Sequence, residues 1–337
     1  MIKKLSIKGF KSIRQLDLDC RRVNVFIGEP NTGKTNILEA LGLWSAGVWP
    51  RIRKVCRCIS FGDLFYNRNV SNDIVVSLDD KQLTGMLLDR PRMLRFVFTG
   101  PEDTIFSPTY SVKIDPKDEE SPIEQGLPDK VSKMEQWPFT RYYLFDPNAR
   151  QDEPHEGWLS APFGENLSEL LATDREARLS TSKFFADQQY KLTVDRANSA
   201  VMMAREEDGT FVTLPYTAVS ETIRRMIFFH LALETNENIS LVFDEPEAHA
   251  FPPYTKRLAE RIAADDRGNQ FFLTTHSPYM LDSLLSKTPA EDLNVVLCRM
   301  ENFETKAYPL DEEQIGKLME WSMDAFFNFD RLIEVPA

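Results

Sequence analysis

The sequence predicts an α/β fold built around a phosphate-binding loop. Three observations support this prediction: a loop bounded by glycines follows an apolar strand at 23–27, a helix-like apolar run follows the loop, and further apolar strands end in polar side chains. The loop runs from Gly28 to Thr35 and has the spacing G-x-x-x-x-G-K-[ST]. Strand, loop and helix in this order are what a triphosphate site requires.

The residue types in this loop have a chemical reason. Glycines let backbone N–H groups approach phosphate closely, and the helix that begins near Gly33 directs its positive dipole end at the ligand. Lys34 is predicted to reach the β- and γ-phosphates, and Thr35 to offer its hydroxyl to Mg²⁺. The predicted nucleotide-binding residues are Gly28, Asn31, Thr32, Gly33, Lys34, Thr35 and Asn36.

The composition sets the outer limits. With 337 residues, 42% of them apolar, the chain is long enough for one large α/β domain with an insertion, or for two domains. It has no apolar run of about 18 residues and no signal peptide, so we expect a cytoplasmic protein without a membrane partner.

The cysteines lack the spacing of a zinc site and are predicted to be reduced, structural thiols. They are Cys20, Cys56, Cys58 and Cys298.

The charge is unevenly distributed. A net charge of −12 argues against a nucleic-acid footprint over the whole surface. Residues 1–60, however, hold 12 Lys and Arg against 4 Asp and Glu. This basic lobe either faces the phosphate of a nucleotide or nucleic acid, or is a solvated face paired with the acidic remainder. The strongest local candidate is the basic cluster Arg51, Arg53, Lys54 and Arg57.

The first two thirds of the chain contain one lobe and a predicted insertion. Strands at 2–8 and 14–19 flank Gly9-Phe10-Lys11-Ser12, and a helix from Lys34 to about Trp44 follows the loop. We predict a compact α+β subdomain at 60–215. It is inserted between the two lobes of the nucleotide-binding domain, at 1–59 and 216–337, which we call the head. Within it the patterns predict strands at 74–78 and 95–99, a loop-rich stretch at 101–162, helices within 166–190 and a hairpin around Asp208-Gly209.

The last third supplies the second half of a nucleotide-hydrolysis site. An apolar strand at 239–243 ends in Asp244 and Glu245. Asp244 is predicted to hold Mg²⁺, and Glu245 to orient and deprotonate the attacking water. The strand at 270–274 leads to His276, which is predicted to hydrogen-bond the γ-phosphate at the sheet edge where ligands bind.

A predicted helix precedes these strands, and further strands and helices follow them. The helix begins at Ser220, a suitable N-cap. The later elements are strands at 295–298 and 305–308 and helices from 312 toward 332. No internal repeat or sustained heptad pattern is present, so a long coiled-coil arm is not expected.

Four segments together resemble ABC-type ATPases of the RecF/SMC/OLD group, and most of all its short AAA-type ATPases. These segments are Phe10-Lys11-Ser12, the loop 28–36, the acidic run 244–249 and the run 274–278. The resemblance covers about 1–50 and 216–300. It implies a P-loop NTPase of ABC/RecF type, with a mixed central sheet flanked by helices.

The resemblance also implies partners and roles. ATPases of this group sandwich two ATP molecules between two head-to-tail heads. Carried over to this chain, Lys34 and Thr35 bind phosphate and Mg²⁺, Asp244 holds Mg²⁺, Glu245 is the general base and His276 the switch histidine. Ser220 is the signature serine, acting in trans across a homodimer or higher oligomer. ATP is preferred over GTP by resemblance alone.

Three departures from the family pattern affect the expected function. Thr222 stands where the signature has glycine, which predicts slow turnover. ATPases of this group also carry a glutamine in a segment called the Q-loop. The sequence does not identify this glutamine, although Gln82 lies at a tolerable distance along the chain from the phosphate-binding loop. OLD-type nucleases carry a C-terminal Toprim domain, for which the 337 residues leave no room. An effector nuclease or toxin is therefore expected to be a separate polypeptide.

Three functions remain open from the sequence. The first is an ATP-hydrolysing head that dimerises on ATP and gates a separate effector in phage defence or DNA surveillance. The second is a RecF-like repair ATPase that binds DNA through the basic lobe. The third is an ATP-dependent scaffold with weak or no hydrolysis.

Overall fold

The computed structural model describes residues 1–45, 48, 51–88, 93–100, 105–114, 120–124, 140–151, 157–184, 191–195 and 200–332. The strands within them are β1 (Lys4–Phe10), β2 (Ile13–Asp19), β3 (Val23–Ile27), β4 (Ile74–Leu78), β5 (Lys81–Leu88), β6 (Met93–Thr99), β7 (Ile105–Ile114), β8 (Glu120–Glu124), β9 (Thr140–Tyr143), β10 (Lys191–Asp195), β11 (Ala200–Glu207), β12 (Thr210–Pro215), β13 (Ser240–Phe243), β14 (Gln270–Thr274), β15 (Leu293–Glu301) and β16 (Glu304–Pro309). The α-helices are α1 (Lys34–Gly42), α2 (Ile52–Val55), α3 (Leu167–Thr173), α4 (Arg175–Phe184), α5 (Glu221–Glu234), α6 (Pro252–Ala263), α7 (Pro278–Lys287) and α8 (Glu312–Trp321). Short 3₁₀ helices span Phe61–Leu64, Tyr66–Arg68, Tyr216–Ala218, Ser322–Phe327 and Phe329–Arg331.

A mixed central sheet organises the molecule. Its strand order is β16-β15-β3-β14-β13-β9. β9, β13, β14, β3 and β15 run parallel, and β16 is antiparallel to β15. The P-loop strand β3 lies beside β14, which lies beside β13. The carboxyl ends of these three strands therefore meet at one edge, the usual position of ligands in such sheets. The predicted P-loop NTPase fold of ABC type, with a mixed sheet and flanking helices, is confirmed.

Both faces of the central sheet are buried, which explains its continuously apolar strands. Val25 and Ile27 of β3 point into one core, which they share with side chains of α5, α6 and α7. Phe26 points the other way, into a core shared with α1 and the strands β1 and β2. Successive side chains of a strand alternate between faces, so a sheet covered on both sides needs apolar residues at every position.

An antiparallel sheet lies over one of these cores, in the order β2-β1-β4-β5-β6-β7-β8. The prediction of a loop-rich stretch at 101–162 is wrong where β7, β8 and β9 form; its residues 101–104, 115–119, 125–139 and 152–156 lie outside the described residues. Two prolines in this stretch made the segments of β7 and β8 look like loops. Pro108 lies at the register irregularity between β6 and β7, and Pro122 lies in β8, at the end of the sheet order. Both positions tolerate a residue without a backbone N–H.

The segment 60–215 is distributed over three sheets. β4–β8 extend the sheet of β1 and β2, β9 joins the central sheet, and β10–β12 form a separate antiparallel sheet. The strand pairing therefore integrates much of this segment with the head. The boundaries at residues 60 and 215 remain a prediction about chain organisation.

The basic cluster of 51–57 is largely paired with carboxylates. Arg51 forms an ion pair with Glu165 and Lys54 with Asp146. The Arg57 Nε atom lies 2.9 Å from Glu39 Oε1. These pairs favour the second interpretation of the basic lobe, in which its charges are balanced by the acidic remainder.

Two further sequence expectations concern the cysteines and helix lengths. All four cysteines are free thiols, and Cys56, Cys58 and Cys298 are buried. Within the described residues, none of the helices combines the length and the apolar character that crossing a bilayer requires.

Candidate functional site

The P-loop connects β3 to α1 and needs its two glycines for steric reasons. Gly28 has φ 143°, and a Cβ atom there would lie 2.3 Å from the carbonyl oxygen of Cys298. Gly33 has φ 85°, and a Cβ atom there would lie 1.9 Å from Thr305 Oγ1. Neighbouring β15 and β16 therefore leave no room for a side chain at either position.

Lys34 cross-links the loop through its ammonium group. Nζ donates to the carbonyl oxygens of Gly28 at 2.9 Å and Glu29 at 2.7 Å. Burial lowers the pKa of Lys34, against the opposing charges of groups that include Glu245 and Asp244. The loop thus holds a buried cation at the start of α1, close to two carboxylates, as the sequence predicts for a phosphate site.

The other predicted loop residues support the loop or the helix start. Asn31 has φ 63°, and Thr32 Oγ1 donates to the carbonyl of Glu29 at 2.8 Å. Asn36 Nδ2 donates to Ser12 Oγ at 2.6 Å, which connects α1 to the turn between β1 and β2. The assignment of these three residues to nucleotide binding remains a prediction.

A hydroxyl group and a carboxylate lie in contact where the P-loop meets β13. Thr35 Oγ1 donates to Asp244 Oδ1 at 3.1 Å, and Thr274 Oγ1 donates to the same oxygen at 2.6 Å. Burial raises the pKa of Asp244, although these hydroxyl groups and the cation of Arg57 act against the rise. A hydroxyl and a carboxylate oxygen are the hard ligands that Mg²⁺ prefers, so the pair fits this ion.

Glu245 and His276 face each other beside this pair. His276 Nε2 lies 3.4 Å from Glu245 Oε1, and both side chains are partly exposed. The backbone N–H of Glu245, at a φ of +44°, donates to Thr274 Oγ1 at 3.0 Å. Burial and the charge of Lys34 lower the pKa of His276. A carboxylate and an imidazole at one edge can accept and relay a proton.

Glu247 is a positioning residue to which the sequence assigned no role. Its Oε1 atom accepts hydrogen bonds from Thr275 Oγ1 at 2.5 Å and from the backbone N–H of His276 at 3.1 Å. Burial raises the pKa of Glu247 to about 7. Glu247 therefore ties the loop after β13 to the loop that carries His276. The feature of the sequence that could have indicated this role is the position of Glu247 two residues after Glu245.

Arg57 is a second residue that sequence reasoning left without a specific role. Its guanidinium pairs with Glu39, a buried carboxylate of α1 whose other oxygen pairs with Lys11. The charge of Arg57 also acts on Asp244, the candidate Mg²⁺ ligand, and opposes the rise in its pKa that burial causes. The sequence showed the basic cluster, but not that Arg57 meets the buried Glu39 of α1.

We expect Arg57→Ala to lower ATP hydrolysis by about tenfold to a hundredfold, because it removes a positive charge that acts on Asp244, the candidate Mg²⁺ ligand. ATP affinity is expected to change less, since the P-loop remains intact. Steady-state phosphate release and equilibrium nucleotide binding measure the two effects. Arg57→Lys, which keeps the charge, is expected to retain more activity. Wild-type turnover in Arg57→Ala would contradict the role.

Ser220 and Thr222 lie at the start of α5. Ser220 Oγ accepts from the backbone N–H of Ile223 at 3.4 Å, so the predicted N-cap is present. Thr222 Oγ1 donates to the carbonyl of His249 at 2.8 Å, which links α5 to the loop after β13. In the part of the chain that the structure describes, Ser220 makes no hydrogen bond to the P-loop. Its action in trans remains a proposal.

The structure does not bring Gln82 to this site. Gln82 lies in β5 of the antiparallel sheet, and its side-chain amide donates to Thr84 Oγ1 at 3.0 Å. The structure does bring other predicted residues together. The loop 28–36, Asp244, Glu245 and His276 meet at the carboxyl edge of the central sheet, around the contacts of Thr35 and Thr274.

This combination of fold and site defines an ATPase domain with a P-loop NTPase fold of ABC type. The family described as "AAA domain, putative AbiEii toxin, Type IV TA system" matches residues 109–282, just over half of the chain, and the chain belongs to this family. A second family model, described as "AAA ATPase domain", matches residues 1–125. No curated protein sequence matches this chain significantly.

Solved structures of SMC heads share the fold. An Smc head bound to the C-winged helix domain of ScpA is 15% identical, with a TM-score of 0.54 over 93% of this chain and 99% of that chain. An Smc head with an extended coiled coil, bound to the C-terminal domain of ScpA derived from Pyrococcus furiosus, is also 15% identical, with a TM-score of 0.55 over 95% and 98%. At this identity the similarity concerns the fold.

Proposed function

We propose that this chain binds and hydrolyses ATP, dimerises head-to-tail on ATP, and thereby controls a separate effector. The observation that carries the proposal is the convergence of Thr35, Asp244, Glu245 and His276 next to a P-loop that leaves no space for side chains at its glycines. This arrangement provides a phosphate cradle, a pair of Mg²⁺ ligands and a candidate base at one sheet edge.

Each residue has a defined role in the proposed reaction. Lys34 and the backbone N–H groups of the P-loop bind the β- and γ-phosphates. Thr35 and Asp244 hold Mg²⁺, which neutralises phosphate charge when bound. Glu245 accepts the proton of the attacking water, and His276 contacts the γ-phosphate. Glu247 keeps His276 in place through its backbone N–H.

The proposed dimer uses Ser220 of a second copy of the chain. Ser220 is exposed at the N-terminus of α5, where backbone N–H groups and the helix dipole favour an anion. Thr222 carries a side chain at the position of the signature glycine, and its hydroxyl is already engaged by His249. We therefore propose slow turnover.

The dimer is tested by the solution mass of Glu245→Gln, measured by size exclusion with light scattering. A chain of 38.8 kDa is expected to double in mass when Mg·ATP is added. Ser220→Asp in the same background is the matched variant. It keeps an N-cap acceptor but places a negative charge toward the opposing phosphate, so we expect it to stay monomeric.

Two alternatives have distinct outcomes. An unchanged mass with ATP demonstrably bound would favour the scaffold, with Thr222 preventing the sandwich. A strong, salt-dependent stimulation of hydrolysis by DNA would favour the RecF-like repair ATPase. The OLD-like relationship, the role in phage defence and the cytoplasmic location are parts of the proposal. A nuclease or toxin gene next to this one would support them.

A further inference from the structure

A cavity of about 580 Å³ lies between α4, α5 and α6, and none of its lining residues belongs to the candidate ATP site. We call it the α4–α6 cavity. Its lining is rich in cationic side chains from two helices. These are Arg175 and Lys183 of α4 and Arg257 and Arg261 of α6.

A chain of hydrogen bonds forms one wall of the α4–α6 cavity. Arg261 donates to His230 Nδ1 at 2.7 Å and pairs with Glu234. A guanidinium can only donate, so Nδ1 is the acceptor and Nε2 carries the imidazole proton. Nε2 therefore donates to Ser180 Oγ, 2.7 Å away. With this tautomer His230 cannot take a proton from Ser180, which rules out a nucleophilic serine.

The charges of this wall are largely balanced within it. Glu234 accepts from Arg261 and also lies 3.6 Å from Arg267. Burial and the charge of Arg261 lower the pKa of His230 to about 3, so the ring adds no charge near neutral pH. Glu176 is the other carboxylate of the lining. The lining as a whole therefore carries a positive excess.

A concave surface lined mainly by one sign of charge concentrates ligands of the opposite sign. Arginine and lysine are the side chains that bind phosphate oxygens most strongly. The volume of the cavity falls within the range of about 300–1,000 Å³ that small-molecule sites occupy. The contacts to His230 and Glu234 hold Arg261 in a fixed orientation in the wall.

We propose that the α4–α6 cavity binds a phosphorylated small molecule of nucleotide size. Arg175, Lys183 and Arg257 contact its phosphate oxygens, while Arg261 forms the preoriented part of the wall. The inference is independent of the proposed function, because it uses no residue of the P-loop or of the carboxylate edge.

The test is a calorimetric titration of pyrophosphate without metal. The Lys34→Ala variant is the background, so that the P-loop does not compete for the probe. We expect one binding site. Arg175→Glu combined with Lys183→Glu reverses two charges of the lining and is expected to weaken binding at least tenfold. Lys256→Glu combined with Lys317→Glu is the charge-matched control, since both lysines lie outside the lining and pair within their own helices.

Three results would overturn this inference. The first is the absence of heat at millimolar pyrophosphate in a folded protein. The second is equal weakening in the cavity variant and its control, which would reflect net charge alone. The third is binding of a DNA duplex that depends on Arg175 and Lys183 while pyrophosphate fails to bind.

Failure of Lys34→Ala to reduce ATP binding would instead contradict the proposed function. It would leave the comparison between the cavity variant and its control intact.

Discussion

Replacing Glu245 with glutamine is expected to reduce ATP hydrolysis by about a hundredfold to ten-thousandfold, the usual contribution of a general base, while ATP remains bound. Glutamine has the shape of glutamate but cannot accept the proton of water. The contact of the backbone N–H with Thr274 Oγ1 does not involve the altered group and is retained. Single-turnover phosphate release measures the chemical step, and equilibrium nucleotide binding measures affinity.

Glu247→Gln is the matched control, because it makes the same change two residues away. The Oε1 acceptor for Thr275 and His276 is kept. Within the described residues, the buried Oε2 atom has no hydrogen-bond partner to lose. We expect less than a tenfold loss of turnover, smaller than the range that general-base removal causes. Normal hydrolysis by Glu245→Gln would show that another group takes the proton.

Replacing Lys34 with alanine is expected to weaken ATP binding by at least about a hundredfold, since charge-assisted hydrogen bonds contribute roughly 1.5–3 kcal/mol each. In the structure the ammonium group bonds to the carbonyls of Gly28 and Glu29. It can exchange these contacts for phosphate oxygens while it stays at the start of α1. Nucleotide titration in the presence of Mg²⁺ measures the loss.

Lys34→Met separates the charge from packing. Lys34 is almost fully buried, so alanine removes apolar contacts as well as the ammonium group. Methionine keeps most of the buried stem. Both variants are expected to lose ATP binding, whereas only alanine lowers the melting temperature further through lost packing. ATP affinity at the wild-type level in Lys34→Met would contradict the assignment of Lys34 to the phosphates.

The sequence by itself determined the features that depend on neighbouring residues. The spacing from Gly28 to Thr35 is a local pattern, and so are the apolar strands that end at Asp244 and at His276. The N-cap at Ser220 also follows from local chemistry. These features placed the fold class and the candidate catalytic residues, because a parallel sheet brings the carboxyl ends of such strands to one edge.

Only the tertiary structure decided which distant groups surround the site. Thr274 contacts Asp244 across β13 and β14, Glu247 holds the backbone of His276, and Arg57 reaches Glu39 of α1. β9 likewise depends on pairing with β13, far along the chain, whereas β7 and β8 pair with their neighbours in sequence and each contains a proline that hid it. Such contacts depend on the packing of whole elements and have no periodic or local signal in the sequence. Pattern reasoning therefore placed the ends of the strands but not the side chains that meet between them.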